Sequence, residues 1–136
     1  MVRVTESVLN QMLRSALKNY PKECCGILAS KKGSRLIQAA YAIKNSAAGN
    51  RAFHMDPAGL IRVFKELRQK RRRLAGIYHS HPDSFCRPSK ADLKGAGYSR
   101  VSYFILSLRE KRQAVLKSYR ICGSAFRAQV IRVVKK

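Results

Sequence analysis

A segment with two histidines, residues 76–92, most constrains how this chain of 136 residues can fold. The apolar run at residues 74–78 has the composition of a buried strand, and His79 and His81 follow it directly. Side chains two positions apart on a strand point to the same face. His79 and His81 are therefore expected to project together, and two imidazoles on one face can bind one metal ion. Pro82 then ends the strand, because proline has no amide hydrogen to donate to a sheet.

A short helix is predicted after this strand, from Ser89 to about Gly95. Ser89 occupies a good N-cap position, with Asp92 three residues later. Positions i and i+3 lie on one face of a helical turn, so Asp92 can turn toward the two histidines while Ser89 stays beside it. Two imidazoles and one carboxylate form the three-ligand set of a catalytic zinc, whose fourth position is left to water. The same donors also suit other divalent metals.

Each of these residues also has an ordinary structural explanation. Asp92 would be a capping-box acid in the helix that Ser89 begins, and the histidines would be hydrogen-bonded strand residues. The coincidence favours a metal site, because the chain has only three histidines and seven acidic residues. We therefore interpret His79, His81 and Asp92 as metal ligands, a motif hypothesis that structural context must test.

The pattern of His-x-His, seven residues and Ser-x-x-Asp, with a glutamate well upstream, resembles the signature of the JAMM (MPN+) zinc metallopeptidases. The upstream residue is Glu23, in Pro-Lys-Glu-Cys-Cys-Gly, and this segment is most similar to the compact prokaryotic branch. The resemblance implies one Zn²⁺ per chain, bound by His79, His81 and Asp92. It also implies that Glu23 handles the proton of the attacking water and that Ser89 helps to stabilise the oxyanion.

The resemblance implies hydrolysis of a peptide or isopeptide bond. Compact prokaryotic relatives act on ubiquitin-like proteins, including sulfur carriers that end in Gly-Gly, and such a tail would enter as an extended chain beside a strand edge. Two alternatives come from other classes of protein. One is a non-catalytic MPN scaffold, although scaffolds typically lose zinc ligands that this chain keeps. The other is a RadC-like protein associated with nucleic acid.

The charge of the chain is its unusual compositional feature. The chain has 29 Lys and Arg residues but only seven Asp and Glu residues, which gives a formal net charge of +22. Such a charge favours polyanionic partners, either nucleic acid or an acidic protein, or it serves solubility alone. Nucleic acid is possible but not favoured, because aromatic residues are not interleaved with the basic runs. The densest basic run, residues 62–73 of a predicted helix, is a possible surface for an acidic partner.

The length of the chain fits a single domain, residues 1–136. Because no apolar run approaches the roughly 20 residues of a membrane span, and the start lacks a signal peptide, we expect a cytoplasmic protein without a membrane partner. The four cysteines do not resemble a disulfide framework. Cys86, in the loop between the ligands, is the thiol to examine as an adventitious ligand or an oxidation site.

Hydrophobic periodicity and turn signals predict an α/β (α+β) fold, with one mixed sheet flanked by two main helices and the short helix after the metal motif. The main helices begin at Thr5 and at Asp56–Pro57. A turn is predicted at residues 109–112. The predicted strands besides the histidine strand are residues 24–29, 35–43, 51–55, 101–108 (central), 113–121 and 125–134.

Overall fold

A computed structural model of the chain describes residues 1–50, 52–98, 100–110 and 113–135. Nine strands and three helices are described within these ranges. In chain order they are β1 (Val2–Thr5), α1 (Glu6–Asn19), β2 (Cys25–Lys31), β3 (Leu36–Ile37), β4 (Ala39–Ile43), α2 (Pro57–Gln69), β5 (Arg72–His81), α3 (Lys90–Gly95), β6 (Ser102–Ser107), β7 (Val115–Cys122), β8 (Ala125–Gln129) and β9 (Ile131–Val134).

The larger sheet has six strands in the order β4-β2-β5-β6-β7-β8. At its centre β5 pairs antiparallel with β2 and parallel with β6, and β6 pairs antiparallel with β7. Every residue of β6 is buried, which confirms the predicted central strand. A sheet buried on both faces needs apolar cover on each side, and the two main helices belong to the two separate clusters that provide it.

Both main helices begin where their capping residues predict. The Thr5 hydroxyl accepts a hydrogen bond from the Val8 amide at 3.2 Å, and the Asp56 carboxylate accepts one from the Gly59 amide at 3.0 Å. These bonds satisfy amides that have no partner inside the helix. Helix α1 packs on one face of the large sheet with Phe104, and α2 packs on the other. Among the described residues no helix is both long and apolar enough to span a membrane.

The strands form two sheets instead of one. A smaller sheet has the order β3-β1-β9, with both β3 and β9 parallel to β1. The predicted strand 35–43 divides at Gln38 into β3 and β4, and the predicted strand 125–134 divides at Val130 into β8 and β9. The two halves of each predicted strand pair in different sheets, so the backbone hydrogen bonding of the strand must be interrupted between them. The strand β1 was not predicted. It has only four residues and continues directly into α1, so it is too short to show the alternating hydrophobic pattern of a strand.

Two further predictions need correction. The predicted strand 51–55 is a loop whose Met55 makes only an isolated bridge to Asn45, and Arg51 lies outside the described residues. In the basic run 62–73 the helix ends at Gln69, because Arg71 adopts a left-handed conformation (φ 53°) and the chain continues into β5. Residues 111 and 112 of the predicted turn also lie outside the described ranges.

Candidate metal centre and active site

The two histidines lie at the carboxyl end of β5, and each is only 3% exposed. Their rings meet on one face of the strand, with 3.0 Å between the two Nε2 atoms. His79 is paired in register with Ile105 of the parallel neighbour β6. The backbone carbonyl of His81 accepts a hydrogen bond from the Leu108 amide at 3.0 Å, just beyond the end of β6. This pairing keeps β5 within the sheet up to His81, directly before Pro82.

Helix α3 brings Asp92 to the histidines through a capping box. The Ser89 hydroxyl accepts from the Asp92 amide at 3.0 Å, and the Asp92 carboxylate accepts from the Ser89 amide at 2.9 Å. The same carboxylate lies 3.1 Å from Nε2 of His79 and 3.0 Å from Nε2 of His81. Asp92 therefore has both features considered from the sequence, the cap and the contact with the two imidazoles.

Glu23 reaches the histidines through the antiparallel pairing of β2 with β5, in which Cys25 is the register partner of His79. The buried Ser80 fixes this junction, because its hydroxyl accepts from the Cys24 amide at 2.8 Å and its own amide donates to the Cys24 carbonyl at 3.0 Å. A carboxylate oxygen of Glu23 and a ring nitrogen of each histidine all lie within 4.8 Å of one another. Glu23 is 5% exposed, and its Oε1 has no hydrogen-bond partner among the described residues.

The pKa values of the two carboxyl groups are shifted in opposite directions. Burial raises the pKa of Glu23 to about 7, an effect that His81 opposes and Asp92 reinforces. Burial acts on Asp92 as well, but its hydrogen bonds with His79 and His81 hold the pKa of that carboxyl well below its usual range. Glu23 is therefore suited to exchanging a proton near neutral pH, whereas Asp92 stays ionised.

The histidines also differ from each other. Burial lowers the pKa of His79. Burial would lower the pKa of His81 too, but hydrogen bonds with Asp92 and the Phe85 carbonyl raise it overall. Nδ1 of His81 lies 2.7 Å from that carbonyl oxygen, which can only accept, so Nδ1 carries the hydrogen. In the neutral ring, the lone pair of Nε2 then faces Asp92 and His79.

This donor set fits a divalent cation. The lone pair of His81 and the Asp92 carboxylate are both acceptors, so their 3.0 Å separation requires a proton or a cation between them. Zinc ligands at about 2.0–2.2 Å in a tetrahedron are about 3.3 Å apart, close to the separations seen here. His79, His81 and Asp92 could therefore hold the metal. Glu23 adjoins the two imidazoles as a second carboxylate.

Two residues that were not predicted as site residues support the site. The ring of Phe53 stacks on His79, with centroids 4.4 Å apart and planes 22° from parallel. Asn45 organises the loop that carries Phe53: its amide donates to the carbonyls of Glu23 at 2.9 Å and Ala52 at 3.0 Å, and its side-chain oxygen accepts from the His54 amide at 2.9 Å. The segment 53–57, which begins at Phe53, is similar to one found in the family that the motif resembles, but nothing in the sequence indicates that Phe53 stacks on His79, and no pattern distinguishes Asn45. The side chain of His54 is exposed and outside the cluster.

The site opens into a cleft of about 580 Å³ that is lined by Glu23, His81 and Ser89. The exposed ring of Phe85 also lines it, with the Arg109 guanidinium 4.1 Å above the ring centroid. Cys86 does not join the donors, because its thiol donates to the carbonyls of β6 and β7 residues at 2.9 and 3.3 Å. Glu23, His81 and Ser89 therefore share one space that solvent or a substrate chain can enter.

Comparison with known families agrees with this geometry. The family described as prokaryotic homologs of the JAB domain matches residues 5–122, which contain all five residues of the motif. The chain belongs to this prokaryotic JAB family. The resemblance drawn from the motif and the predicted fold class are both confirmed.

Named relatives of this prokaryotic JAB chain include two enzymes. It is 26% identical to the CysO-cysteine peptidase of Mycobacterium tuberculosis over 133 residues, covering 98% of this chain and 91% of that protein. It is 32% identical to the desampylase of Haloferax volcanii over 103 residues, covering 75% of this chain and 74% of that one. The solution structure of a Desulfitobacterium hafniense protein matches with a TM-score of 0.90 at 29% identity, covering 100% and 94% of the two chains.

Proposed function

We propose that this chain is a zinc-dependent peptidase that hydrolyses a peptide or isopeptide bond at the C-terminus of a ubiquitin-like or sulfur-carrier protein. One observation carries the proposal: two buried imidazoles and the Asp92 carboxylate converge at 3.0–3.1 Å at an open cleft, beside a Glu23 carboxylate whose Oε1 has no hydrogen-bond partner among the described residues. The names of the CysO-cysteine peptidase and the desampylase support the substrate class. We take residues 1–136 to be one catalytic domain.

In this proposal, His79, His81 and Asp92 hold one zinc ion. Bound there, zinc would act as a Lewis acid that makes water nucleophilic near neutral pH and polarises the scissile carbonyl. The Phe85 carbonyl keeps His81 in the tautomer whose Nε2 lone pair faces the site, and Phe53 covers His79. These neighbours orient both imidazoles before the ion binds.

Glu23 would accept the proton of the attacking water and pass it to the leaving amine. A pKa of about 7 suits both halves of this transfer, because the carboxylate must be basic enough to accept the proton and acidic enough to release it. A non-catalytic scaffold has no need for a buried carboxylate oxygen such as Glu23 Oε1, which lacks a hydrogen-bond partner in the described part of the chain, so this feature favours the enzyme over the scaffold alternative.

Ser89 would stabilise the negative charge that develops on the carbonyl oxygen. Its oxygen accepts from the Asp92 amide, which leaves the hydroxyl hydrogen free to donate into the cleft that Ser89 lines. A donor already fixed in position acts most strongly where charge develops in the transition state.

The substrate would enter the cleft as an extended tail, for which Gly-Gly is suitable because it presents no side chains to the cleft walls. The net charge of +22 favours an acidic carrier protein. All four cysteines are free, which favours the reducing environment of the cytoplasm.

The test combines metal content with turnover. Elemental analysis of wild type should give about one zinc per chain, and His79→Ala should lose it. Glu23→Gln should keep its zinc and lose cleavage of a sulfur-carrier protein with one extra C-terminal residue, or of the same carrier joined to a lysine side chain. Wild type without zinc after reconstitution, or a Glu23→Gln variant as active as wild type, would overturn the proposal.

A further inference from the structure

A second cleft lies at the amino end of the β5–β6 pair, opposite the histidines. Its volume is about 670 Å³. Among the described residues that line it, five are arginines and none is acidic: Arg3, Arg35, Arg73, Arg100 and Arg120. We call this site the arginine cleft. Its lining also includes the buried residues Ile37, Ala75 and Ser102.

The fold collects these arginines from five separate segments: β1, the residue before β3, β5, the turn before β6, and β7. A sphere with the volume of the cleft would be about 11 Å across, comparable to the roughly 8 Å Debye length at physiological salt. The five like charges repel one another, and salt screens most strongly those pairs that face each other across the full width of the cleft. An anion bound between them would relieve this repulsion.

The residues that the structure describes provide no internal counter-ion for this charge. Within the described parts of the chain, the ion pairs are Lys70 with Glu66 and the two histidines with Asp92, so none of the five arginines meets a carboxylate. Arg73 is already oriented, because its Nε and Nη2 both donate to the Ser34 carbonyl, at 3.2 and 3.0 Å. Its remaining N–H groups are free to bind a ligand.

We propose that the arginine cleft binds an oligophosphate, a short chain of several phosphate groups. Guanidinium groups bind phosphate oxygens in pairs, which a cluster of lysines cannot do. A terminal phosphate carries about −1.5 to −2 charges at neutral pH and an inner phosphate of a chain about −1, so three linked phosphates carry about four to five negative charges, close to the charge of five arginines. The described lining contains no aromatic side chain, so it offers no platform for the bases of single-stranded nucleic acid.

A matched control lies elsewhere on the same surface. The exposed face of α2 is also basic and forms a shallower concavity that includes Arg62 and Lys65. It contains Glu66, which pairs with Lys70 at 3.2 Å. Removing two positive charges from α2 therefore lowers the net charge as much as removing two from the arginine cleft.

The experiment is isothermal titration calorimetry of the full chain with tripolyphosphate, orthophosphate and a duplex DNA of about 20 base pairs, at physiological salt. Wild type should bind tripolyphosphate at least about tenfold more tightly than orthophosphate. Arg100→Gln with Arg120→Gln should weaken that binding at least about tenfold, whereas Arg62→Gln with Arg68→Gln should change it less than about twofold. Thermal melting checks that both double variants are folded.

Three results would overturn the inference. Equal losses in the two double variants would mean that binding follows net charge and not the cleft. Duplex DNA that binds more tightly than tripolyphosphate and depends on the same arginines would make nucleic acid the ligand. Binding that disappears in the His79→Ala variant would assign the anion to the metal centre, whereas retained binding supports a separate site.

Discussion

Two histidines and two carboxylates lie at the carboxyl end of the β5–β6 pair, whereas five arginines surround the amino end. At the carboxyl end the ionisable groups are buried and close together: His81 and Asp92 lie 3.0 Å apart, and donor atoms of Glu23 and the two histidines lie within 4.8 Å of one another. At the amino end the arginines are exposed and share one sign of charge. The same two strands thus support two different electrostatic arrangements.

Burial explains the difference. A buried ionisable group must have a partner or change its protonation state, so the carboxyl end is a compact cluster with strongly shifted pKa values. Exposed guanidiniums are hydrated, so they can remain charged without a counter-ion in the protein and bind an anion from solution. We infer that the carboxyl end is built for chemistry and the amino end for binding, and the following experiments test that division.

Among these experiments, the largest effect on catalysis is expected for Ser89→Ala at the carboxyl end. Loss of an oxyanion donor should lower kcat about 10²–10³-fold, and loss of the N-cap should lower the free energy of unfolding by about 1 kcal/mol. Single-turnover cleavage and urea unfolding measure the two effects. Ser89→Thr keeps both the hydroxyl and the cap and should recover most of the activity. A Ser89→Ala enzyme with wild-type kcat would remove Ser89 from the mechanism.

The second prediction concerns pH and the metal-free protein. Because burial raises the pKa of Glu23 from 4.5 to about 7, folding favours its protonated form. That contribution to stability is complete below about pH 4.5 and is lost as pH rises through 7. Wild type should therefore lose on the order of 3 kcal/mol relative to Glu23→Gln across this range. Urea unfolding of both proteins from pH 4 to 8 measures the difference, and parallel pH profiles would contradict the prediction.

The third prediction compares buried serines at the two ends. Ser80→Ala removes the acceptor of the Cys24 amide, and an unsatisfied buried donor should lower the free energy of unfolding by about 1–3 kcal/mol. Ser102→Ala is the control at the amino end, where less than about 1 kcal/mol is expected. Because Cys24 follows Glu23, Ser80→Ala should also reduce kcat. Equal destabilisation by the two substitutions would show that Ser80 has no special role in joining β2 to β5.

The smallest effect is expected for Arg100→Gln with Arg120→Gln on catalysis. These residues lie at the other end of the sheet from Glu23 and His81, so kcat should stay within about twofold of wild type. Cleavage assays at saturating substrate measure kcat directly. A tenfold loss of kcat in a folded double variant would mean that the two ends are coupled.

Local sequence signals predicted much of the fold. Thr5, Asp56 and Ser89 each begin a helix as expected, because a cap acts over only a few residues. The breaks at Gln38 and Val130 could not be predicted, because they depend on which sheet each half of the run joins.

For the candidate site, too, the local arrangement could be predicted from the sequence and the long-range contacts could not. The spacing of His79, His81 and Asp92 predicted that they would meet, since strand and helix periods are local properties. Only the family resemblance predicted that Glu23 would lie beside these three residues, because the pairing of β2 with β5 is long-range. The contact of Phe53 with His79 could not be predicted for a similar reason: Phe53 reaches His79 through a loop that Asn45 folds. The arginine cleft draws on five segments, whereas the basic run 62–73 contributes only Arg73 to it.

The distance along the chain between the two parts of the site has a consequence for folding. The proposed metal donors all lie within residues 79–92, while Cys24, next to Glu23, meets Ser80 of β5 across 56 positions. Contacts so remote form late, because closing a long loop loses entropy before any contact compensates for it. On the proposed mechanism, a half-folded chain that already holds its ion would have no proton acceptor in place. Newly made molecules would thus remain unable to cut their neighbours until the sheet has closed.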